Sequence, residues 1–417
     1  MRAQNVVSVD TLKLTLGEAR ALALRSNPGL RSARLDTAIA AGELVQASVI
    51  LRNNPTIDVL TGGAGIEIGL GQEIEIAGQR SARRSAAMAG LQRARAGVFD
   101  TTRLTLASVD RVFFRLAAAN RRVNLAEKGR ALSERLAEAT TRQLEAGKIS
   151  RLEANLAIVE VGRSRARTLS TRREREQTAS ALRQLLGLSA RQPIATVVEP
   201  NLFTKSNPAP SSPSVATFAS DSMNLDSLTS IALARRPDLD EVAAAARQAR
   251  GLAAIARKEA LPNLALRASS EPGDKGGRIL RPGVGISLPV FNSNRGEIQA
   301  RLAEARQGEL RRVALTDAIR IEVATALSSY QSARSETQVF EQIVLQPARE
   351  NSQLLEIAYS AGKVGLPVLL LIRNQVIDAE LEYMDAWLAE REALTDLSAA
   401  TGEVLGAARA LQAGKAR

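Results

Sequence analysis

Apolar residues recur along this chain in two periods, and the points where one gives way to the other divide it into elements. Ile66, Ile68, Leu70, Ile74 and Ile76 alternate with Glu67, Gly69, Glu73 and Glu75, the two-residue period of a strand with one wet face. Residues 56–60 read as a shorter partner strand, with Gly62-Gly63 as the turn. On either side the period lengthens to that of a helix. Residues 16–26 read as a helix that stops at Asn27-Pro28, because the residue before proline avoids the helical region; residues 30–51 resume it. From 79 to 144 there is no proline, and glycine is confined to Gly90, Gly97 and Gly129. At 1.5 Å per residue this is roughly 100 Å of helix. Leu106, Val109, Phe113 and Leu116 step by three and four, as a heptad seam does, and Ile377, Leu381, Met384 and Leu388 repeat the step near the end. Alanine fills many of the seam positions between them, which lets helices approach closely.

The pattern occurs twice. Glu145-Ala146-Gly147-Lys148-Ile149-Ser150 returns as Ser360-Ala361-Gly362-Lys363-Val364-Gly365, and the same shift carries Arg80 onto Arg295 and Gly187 onto Gly402. Asn27-Pro28-Gly29-Leu30 is echoed by Arg236-Pro237-Asp238-Leu239. A second strand pair reads from residues 264–269 and from Val284, Ile286, Leu288 and Val290, around a turn at 273–277. Each half therefore has helices, a strand hairpin and then two long helices, one plan built twice. The first repeat spans 14–192, with its strand hairpin at 56–76 and its long helical hairpin at 79–187. Residues 193–223 form a Pro/Ser-rich connector. The second repeat spans 224–402, with hairpins at 263–290 and 295–402, and 403–417 are a tail.

Composition removes several function classes. There is no cysteine and no histidine, so disulfides, thiol chemistry, the usual soft metal ligands and histidine acid–base catalysis are excluded. Four methionines are too few for a copper relay. No apolar run approaches the 18 residues of a membrane-spanning helix. The net charge of +12 is uneven: residues 80–191 hold 24 basic and 10 acidic side chains, residues 295–402 hold 11 and 16. A basic chain points first to nucleic acid, but these arginines are spread over a hundred residues with few aromatics for bases to stack on. The expectation is no nucleic acid, no cofactor, no bound metal and no catalytic residue.

With the opening Leu-Thr-Leu-Gly-Glu-Ala-Arg-Ala-Leu-Ala-Leu-Arg-Ser-Asn-Pro at 14–28, the paired Ala-Gly-Lys turns, and Gly-Ile-Ser-Leu-Pro-Val-Phe-Asn-Ser-Asn-Arg-Gly at 285–296, the chain resembles the TolC-like outer-membrane efflux factors. The last segment resembles their cation and heavy-metal branch. The resemblance implies a mainly α fold with a small β part: a duplicated α-helical-barrel tunnel, and a trimeric twelve-stranded β-barrel to which each protomer gives four strands. It implies a homotrimer in the bacterial outer membrane and its lipid, reaching into the periplasm, with its export leader absent from this sequence. Residues 1–10 lack the charged-then-apolar pattern of such a leader. The partners implied are a periplasmic adaptor, or membrane fusion protein, and an inner-membrane pump of the resistance–nodulation–division type. The function implied is a passive exit duct for metal cations or small toxic compounds, not an enzyme. A type I protein-secretion duct and a soluble basic coiled-coil scaffold are the alternatives.

On the same resemblance, Ala146, Gly147, Lys148, Ala361, Gly362 and Lys363 form the turns that dock the adaptor. Relatives often place carboxylates just beyond the second turn, where they ring the closed aperture. The matching positions here are Val368 and Leu371, and no acid lies between Glu356 and Asp378. The expectation is an apolar gate, the alternative being that these two residues pack between helices. Two features depart from the family pattern: neither strand hairpin carries an aromatic residue for a membrane girdle, and the first strand is short. A further expectation follows from the charge imbalance: in a barrel that alternates first-repeat and second-repeat hairpins, interfacial charge pairs between basic and acidic neighbours set the repeat order, the alternative being that the arginines are a solvated or lumen-facing set.

Overall fold

The computed structural model describes residues 11–62, 65–197, 224–273, 276–286 and 293–403. In chain order the elements are β1 (Leu12–Leu14), α1 (Leu16–Ser26), α2 (Pro28–Ser48), β2 (Thr56–Gly62), β3 (Gly65–Ile74), α3 (Gln79–Glu145), α4 (Arg151–Leu186) and β4 (Ile194–Thr196). Then follow α5 (Leu225–Arg235), α6 (Pro237–Glu259), β5 (Leu264–Pro272), β6 (Arg278–Ile286) and α7 (Arg295–Val339). A π-helix (Phe340–Val344), α8 (Leu345–Ser360) and α9 (Leu366–Ala400) complete the order. The mainly α fold with a small β part agrees with the reading of the sequence. Leu288 and Val290, most of the connector and the tail beyond Glu403 lie outside the described residues. Two compact units are present, one of residues 1–31, 101–235 and 319–417, the other of 32–100 and 236–318.

The second unit carries an antiparallel sheet of order β2-β3-β5-β6. β3 pairs with β5 from Ile74↔Leu264 to Ile68↔Ser270, so the two strand hairpins become one meander of four strands. Register and pleat place Ile57, Val59, Ile66, Ile68, Leu70, Leu266, Leu280 and Val284 on one face. The opposite face carries Asp58, Glu67, Glu73, Arg267 and Arg281 with Gly69, Gly71, Gly283 and Gly285, and also the exposed Leu60 and Ile279. The large apolar side chains of the first face are exposed. β2 runs two residues beyond its expected end, and β5 three. The helices of this unit touch through small residues: a Cβ on Gly251 of α6 would lie 2.7 Å from the Ala86 Cβ of α3, so only glycine permits that approach.

The first unit is helical, with one addition that the sequence pattern did not reveal. Leu12–Leu14 pairs in parallel with Ile194–Thr196, so the segment read as connector opens with a strand. Leu14 and Ile194 join Ala19 and Ala23 of α1, Val109, Phe113 and Leu116 of α3, and Leu182 and Leu186 of α4 in one core cluster. Inside this packing sits an ion pair. Arg20 of α1 donates to both carboxylate oxygens of Asp110, at 2.7 and 2.5 Å, with the aspartate side chain only 4% exposed. Burial pushes the Asp110 carboxyl above its ordinary value, and the Arg20 charge and hydrogen bonds act against that rise.

Within one chain, arginines of α3 pair with carboxylates of α9. Arg111 meets Asp396 at 3.0 Å, Arg115 meets Glu392, and Arg122 meets Asp385. Positions rise along α3 as they fall along α9, the register of antiparallel helices. Each such exposed pair contributes only about 0–1 kcal/mol; their consistency of register matters more than their sum. Between the rungs, Trp387, Tyr383 and Met384 of α9 pack on Ala118 and Phe114 of α3 and Leu345 of α8. Phe114 meets the Trp387 ring edge-on at 6.0 Å, and Arg391 lies over the same ring at 5.7 Å. Glu390 is buried beside them, and its Oε2 has no hydrogen-bond partner among the described residues.

Two tests follow. Asp110→Ala leaves a buried guanidinium without its carboxylate, and the expected cost is about 3–5 kcal/mol, measured by denaturant unfolding in detergent. The Arg20→Met, Asp110→Leu double variant should recover most of it; a double variant as unstable as the single one would deny the pair this role. Glu390 gives a pH dependence. Burial holds its carboxyl above the ordinary value of 4.5, against Arg391, Thr337 and Arg334. The fold thus binds this proton more tightly than the unfolded chain, so stability falls as pH rises from 4.5 through the raised value. Glu390→Gln should be the more stable protein at pH 7, by a margin that closes as the pH is lowered towards 4.5. Thermal melts across that range provide the check.

Candidate functional site

Both Ala-Gly-Lys sequences form the same turn at the end of a long helix. At the end of α3, Gly147 has φ +67°, its N–H bonds the Leu144 carbonyl at 2.9 Å, and Lys148 N–H bonds that of Gln143 at 2.8 Å. At the end of α8, Gly362 has φ +70°, and Gly362 and Lys363 bond the carbonyls of Tyr359 and Ala358 at 3.0 and 2.9 Å. This closes the last turn by capping carbonyls that would otherwise be orphaned, and it needs a residue that tolerates positive φ. A Cβ on either glycine would meet nothing within 4 Å among the described residues, so the conformation, not crowding, requires glycine. Ala146, Gly147, Lys148, Ala361, Gly362 and Lys363 are all exposed.

The helices that leave the two turns begin differently. Ser150 caps α4: its hydroxyl accepts from Glu153 N–H at 3.3 Å, while the Glu153 carboxylate accepts from Ser150 N–H at 2.9 Å. This reciprocal pair is a capping box. In the repeat, Gly365 stands where Ser150 stood and Val368 where Glu153 stood. Gly365 gives no side-chain cap to α9, which instead starts with proline inside its first turn, where a missing N–H costs nothing. The carboxylate of the first repeat has become an apolar side chain in the second.

The two faces at the start of α9 separate cleanly. Leu366 and Leu369 are buried against Ala157 of α4 and Leu355 of α8. Val368 and Leu371 stand on the opposite side, 43% and 60% exposed. Nearby Leu354 and Ile357 of α8 are exposed as well. Packing among the described residues thus consumes one apolar pair and leaves the other exposed.

One group here was not legible from spacing. Arg373, seven residues into α9, donates to the Gly129 carbonyl of α3 at 2.6 Å and to Ser133 Oγ at 3.1 Å. Desolvation holds its guanidinium below the ordinary arginine value, with Glu160 and Glu356 opposing. No helix among the described residues is long and apolar enough to cross a membrane.

The comparisons with known proteins concern the chain as a whole. The Cobalt-zinc-cadmium resistance protein CzcC of Cupriavidus metallidurans is 26% identical over 381 residues, which span 89% of this chain and 86% of the relative. Among solved structures, CusC superposes with a TM-score of 0.73 at 18% identity, covering 93% of this chain and 92% of the other. The CmeC outer membrane channel of Campylobacter jejuni gives 0.76 at 16% identity, covering 93% of this chain and 85% of the other. At these identities the structures show a shared fold, that of the TolC-like channels. The family model described as "Outer membrane efflux protein" matches residues 20–188 and again 228–403, most of both halves, and the chain belongs to that family.

Proposed function

We propose that this protein is the outer-membrane duct of a tripartite efflux system, driven by an inner-membrane pump of the resistance–nodulation–division type through a periplasmic adaptor. The observation that carries the reading is the four-stranded sheet. It has one face dominated by exposed apolar side chains, and unpaired outer edges on β2 and β6 among the described residues. In a membrane such edges must be paired, and closure into a barrel is the way a sheet achieves it. Three copies closing edge to edge give twelve strands. The long helices then continue the duct into the periplasm, and the exposed Ala-Gly-Lys turns at 146–148 and 361–363 dock the adaptor. The likeness to a cobalt-zinc-cadmium resistance protein favours metal cations as cargo over other small toxic compounds. The chain acts as a passage, with no catalytic residue and no cofactor.

Val368 and Leu371 close the periplasmic end. They share a helix face and are left uncovered by packing within the chain. Three copies would set two apolar rings across the bore, a constriction that excludes ions by dewetting.

The duct reading predicts a trimer in mild detergent, and native mass measurement that finds a monomer over a wide concentration range would sink it. Loss of the gene should lower tolerance to cobalt, zinc or cadmium, with restoration by the intact gene. For the gate, Val368→Ser with Leu371→Ser should raise single-channel conductance in planar bilayers several-fold at unchanged trimer mass, since hydroxyls wet the constriction. An unaltered conductance in a folded trimer would remove these two residues from that role.

A further inference from the structure

The ladder of charge pairs between α3 and α9 breaks at one place, and a cavity lies there. Continuing the register from Arg122 and Asp385 brings the next rung to position 129 of α3, opposite Asp378. Position 129 is glycine. Asp378 pairs instead with Arg167 of α4, at 3.8 Å. Glycine inside a long helix costs about 0.5–1 kcal/mol relative to alanine. A Cβ here would touch Ile377 Cδ1 and Arg373 Nη2 at 3.9 and 4.0 Å, so crowding does not forbid alanine. What the bare position leaves is space: a cavity of about 250 Å³ walled by α3, α4 and α9. Several waters would fit, at about 30 Å³ each.

The lining is cationic. Arg122, Arg163, Arg167 and Arg373 border the cavity against two carboxylates, Glu160 and Asp378. Arg122 is engaged by Glu174 and Asp385, neither of which lines it. Arg373 reaches the cavity with half of its guanidinium spent on the Gly129 carbonyl and Ser133. Its Nη1 is buried with no hydrogen-bond partner among the described residues. A buried charged donor left unpaired costs more than an ordinary lost hydrogen bond. The planar fork of arginine matches two oxygens of one anion. Arg163 supplies a second cation from α4 at the exposed side of the cavity.

We infer that this cavity is a binding site for a small oxyanion, of the phosphate, sulfate or carboxylate class, held between Arg373 and Arg163. The anion takes the place of the missing rung and ties α3, α4 and α9 together below the aromatic cluster. The inference does not depend on the efflux reading. The same oxygen chemistry could arrive as a free ion or as a carboxylate of a neighbouring copy of the chain, and we assign the free ion.

The test is calorimetric titration of the full-length protein in detergent with inorganic phosphate, at constant ionic strength maintained with chloride. One phosphate per chain should bind saturably. Arg163→Gln, at an exposed position, should weaken binding about tenfold, the loss of one charge-assisted hydrogen bond, at an unchanged melting temperature. Arg373→Gln should abolish it. Where Arg373→Gln fails to fold, Arg163→Gln carries the test alone. A selenate-soaked crystal should show an anomalous peak between the two guanidinium groups. Absence of saturable binding, binding unaltered by Arg163→Gln, or a carboxylate of a second copy seated in the cavity would each overturn the assignment.

Discussion

Two antiparallel helices of opposite charge, α3 and α9, are held in one register by arginines on the first and carboxylates on the second. Much of the helical unit depends on that register. It brings Trp387 onto Phe114, sets Arg373 against the Gly129 carbonyl and leaves the gap where no rung can form. A one-residue slip would rotate each arginine by about 100° away from its partner. It would also push Trp387 out of a core in which it is almost wholly buried. Individually weak pairs thus act as a selector among registers whose apolar seams, rich in alanine, would otherwise be close in energy.

The duplication is faithful in backbone and unfaithful in chemistry. The two helix-ending turns share the same glycine conformation and the same carbonyl bonds. The helices that follow do not share a cap: a serine–glutamate box begins one, glycine and proline the other. Losing the box frees position 368 from local hydrogen bonding, and a valine stands there. The turn is what the backbone needs, so it persists in both copies, whereas the residue three places past the cap can change its role.

Sequence pattern was sufficient where a period runs for long enough. The β3 alternation and the proline-free stretch that became α3 each supply many independent positions, and the structure places both within a residue or two. It was insufficient for β1 and β4, because three residues carry no detectable period and their partners lie some 180 positions apart. Asp110 was visible in principle: it is a lone acid inside the Leu106, Val109, Phe113, Leu116 seam, and a charge on such a stripe demands a partner. Which arginine answers could not be read, since α1 offers more than one. The separation of Leu366 and Leu369 from Val368 and Leu371 follows from helical spacing once the helix start is fixed. The cavity at Gly129 needed three helices in place.

The π-helix at Phe340–Val344 has a consequence for helix phase. Val323, Tyr330 and Thr337 are buried at steps of seven, and the next buried residue of that stripe, Leu345, comes eight further on. From Leu345 the step of seven resumes at Ser352 and Tyr359, both half-buried. One supernumerary residue has entered the stripe. In an unbroken α-helix it would turn everything beyond it by about 100° and carry the Leu355 contact with Leu366 out towards water. The wider turn takes up the odd residue locally, as π-bulges do, and the stripe emerges on its original side. Helix length in this wall is therefore not restricted to whole heptads: a single codon can be gained without a compensating change anywhere near the tip.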